Sequence, residues 1–312
     1  MKPDLISVAP LLPKQMAELE QDFTVHRLPP APERPAFLAK LADRVRFLQT
    51  TGFYGADAAL INALPKLEII ACMGVGVDAV DLALAKQRGI AVTNTPDVLN
   101  DDVADLAIAM MLNVARRLVL SDRWVREGRW LKGNQPLATK VSGKKLGILG
   151  LGRIGKAIAK RAAAFDMDIS YHGRTRQADV PYRYYPDLVD MARDVDFLVV
   201  ICPGGEETRN LVNARVLEAL GPTGILINVA RGSVVDEPAL VEALKSGKLG
   251  GAGLDVFADE PRVPEELFTM DNVVLAPHVG SATTETRNAM CDLVVANLRA
   301  HLRGEKLITP CF

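Results

Sequence analysis

Short apolar runs alternate with stretches of helical periodicity along the first third of the chain. Buried parallel strands are apolar throughout, whereas a surface helix repeats its apolar positions every three or four residues. On these criteria strands are predicted at residues 5–8, 24–28, 45–48, 67–72 and 90–94, and helices at 14–21, 57–64 and 81–88. Strands that alternate with helices predict a parallel sheet with right-handed crossovers.

Three segments depart from this alternation. The proline-rich residues 29–35 predict a loop, because proline has no N–H to donate. Residues 101–118 predict a long helix that begins with acidic residues. Residues 119–142 have few strand signals and contain both tryptophans, Trp124 and Trp130, which indicates either a subunit contact or a small local core.

A second alternating set begins after Gly143. Its predicted strands lie at 146–149, 168–172, 197–202, 224–229, 250–256 and 273–276, and its helices at about 154–165, 187–193, 213–220, 237–246 and 284–302. The last helix is long enough to return to the first domain. We therefore expect an α/β protein with two domains, residues 1–98 plus 286–312 and residues 99–285.

Composition and charge argue against nucleic acid, membranes and metal ions as partners of this chain. A net charge of −1 provides no basic surface for nucleic acid or for a membrane, and no apolar run reaches membrane-spanning length. The four cysteines lie far apart without metal-ligand spacing, so reduced core thiols and no metal site are expected. The amino terminus lacks the apolar region of a signal peptide, and the expected location is the cytoplasm.

A glycine-rich turn follows the strand at 146–149. Gly150, Gly152 and Gly155 have G-x-G-x-x-G spacing and lead directly into a helical pattern. In a dinucleotide site the first glycine makes the turn, the second lets backbone approach the pyrophosphate, and the third lets helix pack on strand. The phosphates then lie at the helix N-terminus. The alternative is an ordinary strand-to-helix turn.

Polar side chains follow three later strands. Arg231 comes after the strand at 224–229, Asp255 and Glu260 after the next, and His278 after the strand at 273–276. Ligands of open parallel sheets bind beyond the carboxyl ends of the strands, so these side chains are expected at one edge. Beside a nicotinamide the set suits reduction of a 2-keto acid: arginine binds the carboxylate and carbonyl, histidine delivers a proton, and a carboxylate keeps the imidazole protonated. The alternatives are a capped loop histidine, a helix-starting acid and a surface ion pair.

Six ordered motifs resemble the D-isomer-specific 2-hydroxyacid dehydrogenases over nearly the whole chain. They are GVGVD at 74–78, NTPDV at 94–98, GLGRIG at 150–155, NVARG at 228–232, LDVF at 254–257 with Glu260 and Pro261, and Pro277 with His278. The resemblance implies a flavodoxin-like substrate domain and a Rossmann cofactor domain, both doubly wound, with a cleft between them. It also implies a homodimer, with residues 119–142 in the position of the family's dimer arm.

The resemblance assigns roles to individual residues. Arg231 would bind substrate, His278 would be the acid/base and Glu260 its partner. The backbone N–H groups of Val75 and Gly76 would bind the substrate carboxylate. The nucleotide would contact a larger set: Gly150, Leu151, Gly152, Arg153, Ile154, Gly155, Cys202, Pro203, Val229, Gly280, and Asp255 at the nicotinamide carboxamide.

The second strand of the cofactor domain departs from the family pattern. Members that prefer NAD usually end it with an aspartate for the ribose 2′-hydroxyl, whereas this chain has Gly173 followed by Arg174, Thr175 and Arg176. Two guanidinium groups and a hydroxyl attract a 2′-phosphate, which an aspartate would repel. We therefore expect NADP(H) to be preferred over NAD(H). The alternative is a solvated basic loop.

Softer features, among them Asp105 where many members have glutamate, resemble the glyoxylate/hydroxypyruvate and hydroxyphenylpyruvate reductase branch. The expected substrate is thus a small 2-keto acid such as glyoxylate or hydroxypyruvate. The alternatives are an aromatic or sugar 2-keto acid, for which Phe53 and Tyr54 would either favour or exclude a larger side chain. A nucleotide-sensing protein like the corepressors that resemble this family is a further alternative, which turnover of any 2-keto acid would exclude.

Overall fold

The computed structural model describes residues 2–312, which form two compact units. One unit comprises the chain up to Leu99 together with Ser281–Phe312, and the other is Asn100–Gly280. Both contain a parallel sheet with helices on its two faces, so the predicted α/β class with two doubly wound sheets is confirmed. The assignment of one domain to substrate and one to cofactor stays a prediction.

The first unit contains strands β1–β5 in the spatial order β2-β1-β3-β4-β5, all paired in parallel. The strands are β1 Asp4–Ser7, β2 Thr24–Arg27, β3 Phe47–Thr51, β4 Ile69–Met73 and β5 Ala91–Thr93. The helices are α1 Pro13–Asp22, α2 Arg34–Leu41, α3 Ala58–Asn62 and α4 Leu82–Gln87.

Consecutive residues of these strands face opposite sides, as the two-residue period of a strand requires. Ile6 and Leu48 pack with α2, α3 and α4 in one apolar layer. Their neighbours Leu5 and Phe47 pack on the other side with α1 and with the C-terminal helix. Both faces of the sheet are therefore buried.

The second unit contains β6–β12 in the order β12-β11-β10-β9-β6-β7-β8, again all parallel. The strands are β6 Lys145–Leu149, β7 Asp168–His172, β8 Arg183–Tyr184, β9 Phe197–Val200, β10 Ile225–Asn228, β11 Gly251–Leu254 and β12 Val273–Leu275. The helices are α5 Asn100–Arg116, α6 Leu118–Arg126, α7 Arg153–Ala163, α8 Leu188–Asp194, α9 Ala214–Leu220 and α10 Glu237–Lys245; α11 Thr284–Leu302 then belongs to the first unit.

The strand order of the second unit reverses between β6 and β9. From β6 the chain adds β7 and β8 toward one edge of the sheet. It then returns to β9, beside β6, and adds β10, β11 and β12 toward the other edge. A reversal of this kind opens a crevice beyond the carboxyl ends of the two central strands, which is where open α/β sheets bind nucleotides.

Two predictions of local structure were wrong. Residues 29–35 are not a continuous loop, since a 3₁₀ turn occupies Ala31–Glu33 and α2 begins at Arg34. Pro35 lies in the first helical turn, where the missing N–H has no intrahelical partner to lose. The helix predicted at 101–118 ends at Arg116, because Arg117 adopts a left-handed conformation with φ 52° and α6 begins after it.

Among residues 2–312, no helix has the combination of length and apolar content needed to cross a membrane. The same part of the chain contains no group of three or more His, Cys, Asp or Glu side chains placed to hold a metal ion.

Candidate active site

Three turns at the carboxyl ends of adjacent strands carry Arg231, Glu260 and His278. Arg231 follows β10, Glu260 follows β11 and His278 follows β12, and these strands are neighbours in the sheet. The topology thus brings together the three side chains that sequence reasoning placed at one edge.

His278 and Glu260 form a direct pair. The imidazole Nδ1 lies 2.7 Å from Glu260 Oε2, and Glu260 Oε1 accepts the Phe257 N–H at 3.0 Å. Burial alone would raise the pKa of Glu260, but the bonds from His278 and Phe257 and the charges of His278 and Arg231 outweigh it and hold that pKa below its usual value. The carboxylate is therefore ionised at neutral pH and binds the imidazole at Nδ1, so Nε2 is the ring nitrogen that can transfer a proton to a substrate.

The turn after β10 packs directly on the turn after β11. A Cβ on Gly232 would lie 1.9 Å from the Phe257 carbonyl carbon, so only glycine permits this approach. The buried Asn228 shapes the same turn, because its Nδ2 donates to the Arg231 carbonyl at 3.0 Å and its Oδ1 accepts the Ala230 N–H at 3.1 Å. Arg231 is thus held on a turn of fixed conformation.

Asp255 holds the turn that carries His278. Its Oδ1 accepts the Val279 N–H at 2.7 Å, its Oδ2 accepts the Gly280 N–H at 2.9 Å, and its carbonyl accepts the His278 N–H at 2.8 Å. These bonds stabilise a left-handed His278 with φ 54°, a conformation that side chains other than glycine seldom adopt. Asp255 is only 1% exposed, and burial raises the pKa of its carboxyl.

The glycine-rich turn joins β6 to α7 and lies beside the end of β9. A Cβ on Gly150 would lie 2.7 Å from the Cys202 backbone, and one on Gly155 would lie 2.3 Å from the Gly150 carbonyl oxygen. A Cβ on Gly152, in contrast, meets nothing within 4 Å. Gly152 is also the N-cap of α7 and provides no side-chain cap, so the helix N-terminus is open to an anion. These features fit a dinucleotide pyrophosphate.

The chain matches the model of the D-isomer specific 2-hydroxyacid dehydrogenase NAD binding domain over residues 108–280. It is 55% identical to glyoxylate/hydroxypyruvate reductase A of Arabidopsis thaliana, covering 94% of each chain, and 54% identical to hydroxyphenylpyruvate reductase of Plectranthus scutellarioides, again covering 94% of each. The chain belongs to the D-isomer-specific 2-hydroxyacid dehydrogenases. The family and the class of enzyme inferred from the motifs are thereby confirmed.

Solved structures agree with this assignment. A NADPH-dependent glyoxylate/hydroxypyruvate reductase from Sinorhizobium meliloti, solved with NADP and malonate, superimposes with a TM-score of 0.90 at 46% identity, over 99% of this chain and 97% of that one. A 2-hydroxyacid dehydrogenase from Ketogulonicigenium vulgare gives a TM-score of 0.93 at 47% identity, over 100% and 99%.

Gly173, Arg174, Thr175 and Arg176 form an exposed loop after β7 in this dehydrogenase. A Cβ on Gly173 would meet nothing within 4 Å. Arg174 and Arg176 are exposed, and neither forms an ion pair within residues 2–312. Two guanidinium groups without acidic partners suit a phosphate ester, which is consistent with the predicted cofactor preference without testing it.

The remaining predicted nucleotide contacts lie at the ends of the central strands. Cys202 and Pro203 follow β9, and Val229 follows β10. The Cys202 thiol is buried, and burial raises its pKa to about 11, so the thiol is neutral at physiological pH. Leu151 is buried, whereas Arg153 is exposed at the first position of α7 and Ile154 is half-buried beside it.

In the first unit, the loop of Val75 and Gly76 follows β4. Gly74 turns the chain with φ 139° and donates its N–H to Thr95 Oγ1 at 2.9 Å, and Asn94 Nδ2 donates to the Val75 carbonyl at 2.9 Å. The loop is therefore fixed by two side chains at the end of β5. Its role toward a carboxylate stays a prediction.

Sequence reasoning missed the residues that hold these turns. Asn228 and Asp255 both lie within the motifs, but the sequence did not predict that Asn228 bonds backbone of its own turn or that Asp255 bonds the backbone N–H groups of Val279 and Gly280 in the turn after β12. A buried polar residue directly after an apolar strand was the available signal, because such a group must find a hydrogen-bond partner.

Proposed function

We propose that this dehydrogenase reduces a small 2-keto acid, glyoxylate or hydroxypyruvate, to the D-2-hydroxy acid with NADPH. The observation that carries the proposal is the Glu260–His278 pair at 2.7 Å, with Arg231 on the adjacent strand end. The names of the relatives that are 55% and 54% identical support the same class of substrate.

Each side chain has one task in this reaction. Bound NADPH supplies a hydride to the carbonyl carbon of the substrate. The Arg231 guanidinium binds the substrate carboxylate and polarises the carbonyl oxygen. The protonated His278 gives its Nε2 proton to that oxygen while its Nδ1–H stays on the ring, hydrogen-bonded to Glu260, and the neutral imidazole then regains a proton from solvent.

NADPH is proposed over NADH because of the loop after β7. Gly173 supplies no carboxylate for a ribose 2′-hydroxyl, and Arg174 and Arg176 supply positive charge for a 2′-phosphate. The related Sinorhizobium meliloti enzyme is NADPH-dependent.

A larger substrate is the second candidate, favoured by Phe53 and Tyr54. These rings are more than half exposed, stack edge to face at 5.0 Å and lie directly after β3 in the first unit. An exposed aromatic pair beside the Val75 loop suits an aromatic side chain, and a relative at 54% identity is a hydroxyphenylpyruvate reductase. A ratio of kcat/KM above one for 4-hydroxyphenylpyruvate over hydroxypyruvate would establish this candidate.

The test is consumption of NADPH and NADH, in parallel, with glyoxylate, hydroxypyruvate and 4-hydroxyphenylpyruvate. The expected result is turnover of the two small acids with a clear NADPH preference. His278→Ala should lower kcat by about 10²–10⁴-fold with the NADPH Kd unchanged, because only proton delivery is lost. His26→Ala is the matched control, since His26 pairs with Asp4 in the first unit and has no part in the reaction. Wild-type turnover by His278→Ala would exclude the mechanism.

The proposal includes a homodimer formed through residues 119–142, here called the arm. Of the thirteen exposed large apolar side chains among residues 2–312, five lie in the arm. Patches of this kind mark protein interfaces. The cytoplasmic location likewise stays a prediction.

A further inference from the structure

The loop that carries Arg174 and Arg176 is clamped at both of its ends. At one end, the Tyr184 hydroxyl donates to the Gly173 carbonyl at 3.1 Å. At the other, the Gln177 N–H donates to the Tyr171 hydroxyl at 2.6 Å. The two phenol rings pack on each other at 5.3 Å, and Tyr171 is only 1% exposed, so packing as well as hydrogen bonding holds both ends of the loop.

A third bond joins this loop to the glycine-rich turn. Gln177 Nε2 donates to the Leu151 carbonyl at 2.8 Å, and Leu151 lies between the first two glycines of the turn. The end of β7 is joined to the same turn by the Gly150 N–H, which donates to the His172 carbonyl at 2.9 Å. Gln177 therefore fixes the spacing between the glycine-rich turn and the two arginines.

This spacing matters because the pyrophosphate and the 2′-phosphate belong to one molecule. Arginine bonds to phosphate depend strongly on direction, and an exposed loop that must order itself on binding loses affinity to conformational entropy. A loop already held at the correct distance avoids that loss. The benefit concerns only a cofactor that contacts the arginines.

We propose that Gln177 is a positioning residue for NADPH preference, holding the Arg174–Arg176 loop against the glycine-rich turn. The proposal rests on the proposed use of NADPH. Its amide acts through the two arginines and does not itself contact the 2′-phosphate, and the Tyr184 hydroxyl assists it at the other end of the loop.

The test is calorimetric titration of NADPH, NADH, 2′,5′-ADP and 5′-AMP into wild type, Gln177→Met and Tyr184→Phe. Methionine keeps the length of the side chain but cannot donate to Leu151, and phenylalanine keeps the ring that packs on Tyr171. For Gln177→Met we expect NADPH and 2′,5′-ADP to bind about five- to tenfold more weakly, since one directional hydrogen bond is lost. NADH and 5′-AMP should change less than twofold, and kcat at saturating NADPH should be unchanged.

Arg174→Ala separates this proposal from the proposed cofactor. When Arg176→Ala is added to Arg174→Ala, Gln177→Met should cause little further loss of NADPH affinity, because Gln177 acts through those two side chains. If Arg174→Ala weakens NADPH while Gln177→Met leaves all four ligands unchanged, or weakens all four equally, the positioning role is overturned and NADPH use stands. If wild type binds 2′,5′-ADP no better than 5′-AMP, both proposals are overturned.

Discussion

The Glu260 carboxylate carries the negative charge beside the proton donor of the reaction. Its pKa is held below the usual value by His278 and Phe257, so the carboxylate is ionised at neutral pH. It lies 2.7 Å from Nδ1 of His278 and orients that ring for delivery of a proton to the substrate. Removing the charge should therefore lower the rate of reduction.

Glu260→Gln tests this directly. Glutamine has the size of glutamate but one oxygen in place of two, so the charge is lost together with one of the two bonds to His278 and Phe257. A hydrogen bond to a charged group is worth about 1.5–3 kcal/mol, which corresponds to about a ten- to a hundredfold change in rate. We expect kcat/KM for reduction of a 2-keto acid at neutral pH to fall by about that factor. Glu266→Gln, an exposed acid in the short helix that follows, is the control, and wild-type kcat/KM in Glu260→Gln would contradict the role.

Residues that act on a ligand through their side chains were predictable from the sequence. Residues that act by bonding another part of the fold were not. Arg231, Glu260 and His278 were predictable, because polar residues after parallel strands collect at one sheet edge. Gln177 was not, because its partner is a backbone carbonyl in a different turn. Only the folded geometry reveals that contact.

At the scale of the element, the three glycines of the β6–α7 turn have separable purposes. Gly155 is required by packing, since a Cβ there would lie 2.3 Å from a carbonyl oxygen. Gly152 has room for a Cβ in the folded protein and an extended backbone with φ −79°. The fold therefore does not require glycine at this position, and the predicted reason for it is the approach of the cofactor pyrophosphate.

Alanine at each position should separate these purposes. Gly155→Ala should destabilise the protein by about 1–3 kcal/mol, because backbone must move to accept the methyl group. Gly152→Ala should leave stability unchanged and weaken NADPH about tenfold or more, because the methyl group stands where the pyrophosphate approaches. Urea unfolding and NADPH titration of both variants give the comparison. Equal loss of stability in the two would contradict the assignment for Gly152.

The apolar pattern predicted the positions of helices and strands wherever a segment was buried in the regular way of its element. Every strand of the first unit overlaps its predicted range, and no strand end differs from its predicted position by more than three residues. The errors fell where local chemistry overrides the pattern: Pro35 begins α2 instead of preventing a helix, and Arg117 ends α5 without a glycine or proline to announce it. The two-residue β8 has too few residues for any periodic signal.

At the scale of the whole molecule, the arm is a segment that exposes several large apolar side chains. Leu131 and Leu137 are 94% and 96% exposed, and Trp130 is 65% exposed. Trp124 has partners within the arm itself, since its Nε1 donates to the Gly133 carbonyl and the Arg129 guanidinium lies over its ring. The sequence left a subunit contact and a local core as alternatives, and the structure assigns a local packing role to one tryptophan only.

A second copy of the chain is the expected partner of these exposed side chains. Burying an exposed leucine gains about 1.5–3 kcal/mol, so two aspartates on each arm should abolish association at micromolar concentration. We expect wild type to sediment at twice the 33.7 kDa of the chain and Leu131→Asp with Leu137→Asp to sediment as a monomer. Phe268→Asp, at an equally apolar site that is 59% exposed outside the arm, should remain dimeric. A wild type that sediments as a monomer, or a double variant that stays dimeric, would show that the arm does not join two copies.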